Sequence, residues 1–285
     1  MVFRIAQISD THLSGSKPYF VANFRKVASH IAQAGADLVL HTGDVSLDGS
    51  AQEDDLIAAR RLHAATGLPL RFIPGNHDIG ESQDAPDVAG PPRLSPATRE
   101  RYLRHFGRDY WCLAVPGWRI LAINDFLLGS NLAAAHEQIC AVRAAAAAAR
   151  GVRLALFTHR PLFQVSPGDA EIGGRFLNPR PRAELLAALG ELAPALIASG
   201  HVHQFVSKDG LAGPGSRQIW APATSFVLPA TRQPHYGLRS TGYVEHVLTP
   251  DGRHFSRLVP VPGLECPSLA DYPEAYAQYL NAGPC

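Results

Sequence analysis

Short apolar runs alternate with stretches of helical spacing through the first two thirds of the chain, and this rhythm predicts its elements. Phe3–Ile8 is a β-rich run, while Val21–Ala34 repeats apolar residues at helical spacing and stops at Gly35, a residue suited to ending a helix. Further strands are predicted at Asp37–Leu40, Leu70–Ile73, Trp111–Val115, Arg119–Ile123, Val152–Phe157 and Ala195–Ala198. Helices are predicted at Gln52–Ala65, Ala97–Phe106, Ala133–Arg150 and Ala183–Leu189. The alanine run Ala144–Ala149 reads as helix, because alanine has the highest helix propensity. Asp84–Pro96 and Arg160–Arg182 are rich in Pro and Gly and read as loops. After residue 203 the pattern turns to short β segments at Gln204–Ser207, Gln218–Ala221, Tyr243–Leu248 and His254–Val259. Lys208-Asp209-Gly210 and Pro250-Asp251-Gly252 are hairpin turn signals. No linker divides the chain, so one α/β domain over residues 1–263 is expected, its sheet finishing in antiparallel strands. A tail follows at 264–285. Its Tyr272, Tyr276, Tyr279 and Leu280 recur at helical spacing and suit either a cap on the sheet or a contact within a homo-oligomer.

Composition narrows the class. The 285 residues are 46% hydrophobic and 18% charged, as in a packed globular protein. Lys+Arg 26 against Asp+Glu 25 leaves a net charge of +1, which argues against broad binding to nucleic acid or to an acidic membrane surface. No run approaches the ~20 apolar residues of a membrane span. The first ten residues, MVFRIAQISD, meet an acid too early for a signal peptide and read as a strand, so a cytoplasmic location is expected. Four cysteines without C-x-x-C spacing suggest neither a zinc knuckle nor a disulfide framework.

The chemistry lies where the strands stop. RIAQIS runs into Asp10-Thr11-His12, LVLHT into Gly43-Asp44, and LRFIP into Gly75-Asn76-His77-Asp78. LALFT runs into His159, and ALIAS into Gly200-His201-Val202-His203. Binding sites of α/β sheets form at this carboxyl edge. Residues two apart in an extended segment point the same way, so Asp10 with His12, and His201 with His203, can reach one cluster. A mixed nitrogen and oxygen set without thiolate suits Zn, Mn, Fe or Co and is too rich in nitrogen for Ca²⁺ or Mg²⁺. Seven or eight donors exceed what one ion takes, which implies two metals sharing a carboxylate.

The series Asp10-x-His12, Gly43-Asp44, Gly75-Asn76-His77-Asp78, His159 and Gly200-His201-x-His203 resembles the calcineurin-like metallophosphoesterase superfamily, in the family's order, over about residues 1–205. The stretches GDVSLDGS and Pro222–Phe226 resemble its class III, cyclic-nucleotide phosphodiesterase-like branch. The resemblance implies a four-layer α/β/β/α sandwich, two mixed sheets flanked by helices, and a binuclear centre of two divalent or trivalent transition-metal ions (Mn, Fe or Zn). Carried over, it gives Asp10, His12 and His203 to one metal, Asn76, His159 and His201 to the other, and Asp44 to both. It further implies a metal-bound hydroxide as nucleophile, with His77 steadying charge or protonating the leaving oxygen. One departure is informative: protein phosphatases of the superfamily carry GDxxDRG, whereas Leu47 stands here at the second Asp and no Asp-Arg-Gly follows.

Arg160 and Arg175 lie in the loop after His159 and are candidates to hold a phosphate oxygen. His41 reads as an ordinary buried histidine or as a partner to a metal ligand. The expected function is a phosphodiesterase acting on a small molecule, a cyclic nucleotide or a glycerophosphodiester. A phosphomonoesterase or nucleotidase on the same metal core is the alternative. A non-catalytic scaffold is the reading from another class, and an intact ligand set weighs against it.

Overall fold

The computed structural model describes residues 1–86, 90–209 and 216–276. Its strands and helices, in chain order, are β1 (Phe3–Ile8), α1 (Val21–Ala34), β2 (Leu38–Thr42), α2 (Glu53–Ala64), β3 (Leu70–Ile73), α3 (Asn76–Ile79), α4 (Pro96–Phe106), β4 (Trp111–Val115), β5 (Trp118–Ala122), α5 (Ala133–Ala148), β6 (Arg153–Phe157), α6 (Pro179–Leu189), β7 (Leu196–Ser199), β8 (Val206–Asp209), β9 (Arg217–Trp220), β10 (Tyr243–Leu248) and β11 (His254–Val259).

They form two mixed sheets, ordered β11-β10-β1-β2-β3 and β4-β5-β6-β7-β9-β8. In the first sheet β1, β2 and β3 run parallel, with β10 antiparallel on the other side of β1. In the second, β5, β6, β7 and β9 are parallel between antiparallel edge strands.

Why two sheets form, rather than one, follows from strands that are apolar on both faces. Leu38 and Leu40 of β2 turn inward toward Ala155 and Phe157 of β6 and Leu196 and Ala198 of β7, filling the space between the sheets. The alternate residue Val39 turns outward and packs with Phe24, Val27 and Ile31 of α1 and Leu56 and Ala59 of α2. On the far side, Leu154, Leu156 and Ile197 meet Ile139 and Val142 of α5 and Leu185 and Leu189 of α6. Three apolar cores therefore separate four layers, helix, sheet, sheet and helix. Each fully buried Leu, Ile, Val or Phe contributes roughly 1.5–3 kcal/mol.

The expected elements differ from this at their edges. Helix α6 begins at Pro179 rather than Ala183, because Pro179 and Pro181 sit in the first turn, where no intrahelical N–H is required. Helix α4 starts at Pro96, behind Ser95, whose Oγ accepts from Thr98 N at 3.2 Å. The hairpin at Pro250-Asp251-Gly252 joins β10 and β11 as expected. Strands β8 and β9 also pair antiparallel, but the residues that join them lie outside those described. In the tail, Leu269–Asp271 form a single 3₁₀ turn in place of an α-helix, while Tyr279 and Leu280 lie outside the described residues. Among the described residues no helix is long and apolar enough to cross a membrane.

Candidate metal centre

The carboxyl ends of β1, β2 and β3 meet those of β6 and β7 at the seam between the sheets. Backbone hydrogen bonds hold the loops in register: Asp10 N donates to Gly43 O (3.0 Å), His12 N to Asp44 O (3.0 Å), and Gly200 N to His159 O (2.9 Å). The seam itself is crossed by His201 N, which donates to Asp10 Oδ2 at 3.0 Å. Close backbone approach explains the glycines here. A Cβ on Gly43 would fall 2.7 Å from Gly75 N.

Among the described residues, the non-glycine positions with positive φ are Asp10 (53°), His12 (46°), Asp44 (53°), His201 (65°) and His203 (54°). All five are predicted ligands. Left-handed backbone turns each side chain sharply back at the end of its strand, at a steric cost that Asp and His tolerate better than most residues.

The side chains gather into two donor groups. In one, Asp10 Oδ1 lies 3.3 Å from His203 Nε2, and His12 Nε2 lies 3.4 Å from His203 Nε2. In the other, His159 Nε2 is 3.0 Å from His201 Nδ1. Asp44 Oδ2 stands between the groups, 3.7 Å from His12 Nε2 and 3.5 Å from His159 Nε2. Ligands at ~2.0–2.2 Å from an ion lie about 3.0–3.5 Å from one another, so these spacings fit metal coordination. Two buried oxygens, Asp10 Oδ1 and Asn76 Oδ1, have no hydrogen-bond partner, as expected of atoms reserved for a cation. Both groups are thus able to hold metal ions.

The outward nitrogens of the imidazoles are also engaged. His159 Nδ1 meets Thr42 O (2.6 Å), His203 Nδ1 meets Phe226 O (2.8 Å), and His201 Nε2 meets Gly174 O (3.1 Å). A carbonyl only accepts, so each outward nitrogen carries the hydrogen and the inward one presents its lone pair once neutral. His12 Nδ1 differs, lying 2.6 Å from Tyr276 Oη.

Electrostatics divide the four rings. Burial opposes charge on His159, yet Asp44 and Asp10 outweigh it and push the imidazole up to about 10. His203 is raised as well, burial being overcome by Asp10. Burial holds His12 well below its usual value and, with His159 nearby, takes His201 down to about 3. Asp10 and Asp44 stay well below the usual carboxylate range despite burial, through His203 and His159 respectively. Without metal, then, each donor group has one imidazole that a neighbouring carboxylate biases toward its charged form.

The other expected residues are placed as follows. His77 sits at the start of α3, where its N donates to Asp44 Oδ1 (2.9 Å), its Nδ1 meets Leu47 O (2.9 Å), and its ring stands edge-on to His12. Arg160 is fully buried: its Nε donates to Asp125 Oδ2 (2.8 Å) and its Nη2 to Ser82 Oγ (2.7 Å), with the guanidinium over Phe126. Arg175 is half-buried and donates to Arg232 O at 2.8 Å. His41 is buried, bonded to Thr11 Oγ1 and accepting at Nδ1 from Gly43 N.

Two acids supporting the site carry no assignment from sequence. Asp78 accepts from Gly75 N, Val45 N and Ser46 N, tying two ligand loops together; burial and Asp44 raise its carboxyl to about 6. Asp125 Oδ1 accepts from His159 N at 2.8 Å and fixes the backbone of that predicted ligand. Its signal was present in sequence, since β5 runs into Asn124-Asp125 as the other strands run into their ligands.

Comparison with known proteins agrees with this geometry. The chain is 30% identical, over 236 residues, to the 3',5'-cyclic adenosine monophosphate phosphodiesterase CpdA of Pseudomonas aeruginosa, covering 78% of this chain and 79% of that one. A dimetal phosphatase from Danio rerio superposes with a TM-score of 0.58 at 11% identity, over 90% of this chain and 99% of that one. A purple acid phosphatase from yellow lupin (Lupinus luteus) seeds gives 0.62 at 12% identity, over 100% of this chain and 56% of that one. At such identities these two likenesses concern the fold. The calcineurin-like phosphoesterase (Metallophos) family matches residues 3–205, the span that carries all seven predicted ligands, and the chain therefore belongs to that family of metal-dependent phosphoester hydrolases.

Proposed function

We propose that the chain hydrolyses small phosphodiesters, with a cyclic nucleotide or a glycerophosphodiester as substrate. The observation that carries this reading is its 30% identity to a cyclic AMP phosphodiesterase along 78% of the chain. Asp10, His12 and His203 would hold one Mn, Fe or Zn ion and Asn76, His159 and His201 a second, with Asp44 bridging. Such a pair of ions supplies an activated nucleophile near neutral pH and neutralises charge on the phosphoryl oxygens. His77 stands beside Asp44 with Nδ1 tied to Leu47 O, which supports a role for its Nε2 in steadying developing charge or protonating the leaving oxygen.

Charge supports a diester. Two divalent ions against Asp10, Asp44 and an anionic nucleophile leave roughly +1, which matches a diester monoanion. A monoester dianion is usually held by an arginine fork. Here the Arg160 guanidinium is engaged by Asp125 and Ser82, and Arg175 by Arg232 O. The test is kcat/KM for bis(p-nitrophenyl) phosphate against p-nitrophenyl phosphate at equal metal loading, followed by cyclic AMP and glycerophosphodiesters. The diester is expected to be preferred; preference for the monoester overturns the reading.

A further inference from the structure

Three of the four predicted ligand imidazoles rest on backbone carbonyls, of Thr42, Phe226 and Gly174, and the fourth does not. His12 Nδ1 meets the phenol of Tyr276, a residue 264 positions away and well past the segment that the family shares. Tyr276 is 3% exposed. Its ring stands edge-on to both His12 (centroids 5.8 Å apart) and His77 (5.3 Å) and lies against Phe226.

The segment leading to it is anchored along its length. Asn23 exchanges hydrogen bonds with the backbone of Glu265, donating to its O (2.8 Å) and accepting from its N (3.1 Å). Val227 N donates to Pro267 O and Leu269 N to Val227 O, both at 2.9 Å. Ser268 caps the turn Leu269–Asp271, and Lys17 Nζ donates to Glu274 O at 3.1 Å. Leu269, Ala275 and Tyr276 then bury themselves with Phe20, Leu47 and Phe226. A buried phenol needs a hydrogen-bond partner, and His12 supplies it.

We propose that Tyr276 is a positioning residue of the metal centre, which the C-terminal segment completes by orienting His12. The proposal rests on the two-metal reading above. With Nε2 turned toward Asp44 and His203, Nδ1–H donates to the phenol oxygen, which fixes both the tautomer and the ring plane that a metal requires. The ion held by Asp10, His12 and His203 thereby depends on the tail, whereas the imidazoles of the other group, His159 and His201, rest on the backbone carbonyls of Thr42 and Gly174, within the family-matched segment.

The test is Tyr276→Phe, which keeps the buried ring and removes only the hydroxyl. Metal-free protein is titrated with Mn²⁺ or Zn²⁺ and the two binding steps are read by calorimetry, with elemental analysis after dialysis at limiting metal. One of the two steps is expected to weaken by 10–100-fold and the other by far less, with activity regained at excess metal. Tyr272→Phe, altered in a ring that packs on Phe20, controls for loosening of the tail and is expected to leave both steps unchanged. Wild-type protein that binds two ions while Tyr276→Phe binds both equally well overturns the tyrosine assignment alone. Wild-type protein that binds no ion overturns the two-metal reading and this proposal with it.

Discussion

The left-handed backbone at the ligands can be weighed by comparing Ala and Gly at one position. Take His203, at φ 54°. Either substitution removes the imidazole, so the difference between the two variants isolates the Cβ and the backbone. Left-handed φ costs an alanine about 1–2 kcal/mol, while the greater freedom of glycine in the unfolded chain costs it about 0.4–1 kcal/mol. His203→Gly should therefore exceed His203→Ala in stability by roughly 0.5–1 kcal/mol. Asn76 reverses the comparison, because it opens α3 with ordinary helical backbone. There alanine should win by about 1 kcal/mol. The sign thus flips between two predicted ligands, with a total gap of roughly 1.5–2 kcal/mol. For 285 residues the unfolding entropy is about 0.6 kcal/mol/K, so each difference moves Tm by only about 2 °C or less. Urea denaturation of chelator-treated proteins is the sharper assay and keeps metal out of the comparison. If His203→Ala equals or exceeds His203→Gly in stability, the strain is not there.

Three further expectations follow from the site. Metal binding at pH 6 should release about two protons, since His159 and His203 both titrate above their usual value and must lose their protons to coordinate. Each ion's apparent affinity should then fall about tenfold per pH unit as the pH drops; calorimetry in buffers of different ionisation enthalpy counts the protons, and no release refutes the pairing. His77→Ala should keep both ions by elemental analysis while kcat drops on the order of 10²–10⁴, less for nitrophenolate leaving groups; lost metal would make His77 structural. Asp125→Ala should destabilise the fold by about 3–5 kcal/mol in urea titrations, because it removes the closest carboxylate from a fully buried guanidinium and leaves only Glu81, at 3.8 Å, to face it. A loss below about 1 kcal/mol would show that water reaches Arg160.

Where residues lie close in sequence, the chain could be read directly. Asp10, Asp44, Asn76, His159 and His201 each follow the end of a strand by two or three residues, so a strand pattern and a polar stop were enough to single them out as candidates. The pattern alone suggested one sheet, and the two-sheet arrangement came from the family resemblance; the both-face apolarity of LVLHT and LALF is accounted for once Val39 and Leu40 face opposite cores. What pattern could not reveal is long-range pairing of polar groups. Arg160 follows His159 directly and reads as a candidate to hold a phosphate oxygen, but it is buried on Asp125 and Ser82, which lie 35 and 78 positions away. Tyr276 belongs to the same class: its helical spacing with Tyr272 suggested a packing face, and no local signal pointed to His12.

The central place of β1 bears on how the chain is made. β1 is synthesised well before β10, at Tyr243–Leu248, which is one of its two neighbours in the sheet. About 235 residues separate Ile8 from Tyr243. At translation rates of ~5–20 residues per second, that edge waits roughly 10–50 s for its partner. Throughout this interval a strand that is apolar on both faces has one row of backbone groups unpaired, the condition under which edges recruit foreign strands. The late hairpin β10–β11 closes that edge. The first half of the candidate metal centre is thus built on a sheet that remains open on the ribosome until β10 has emerged.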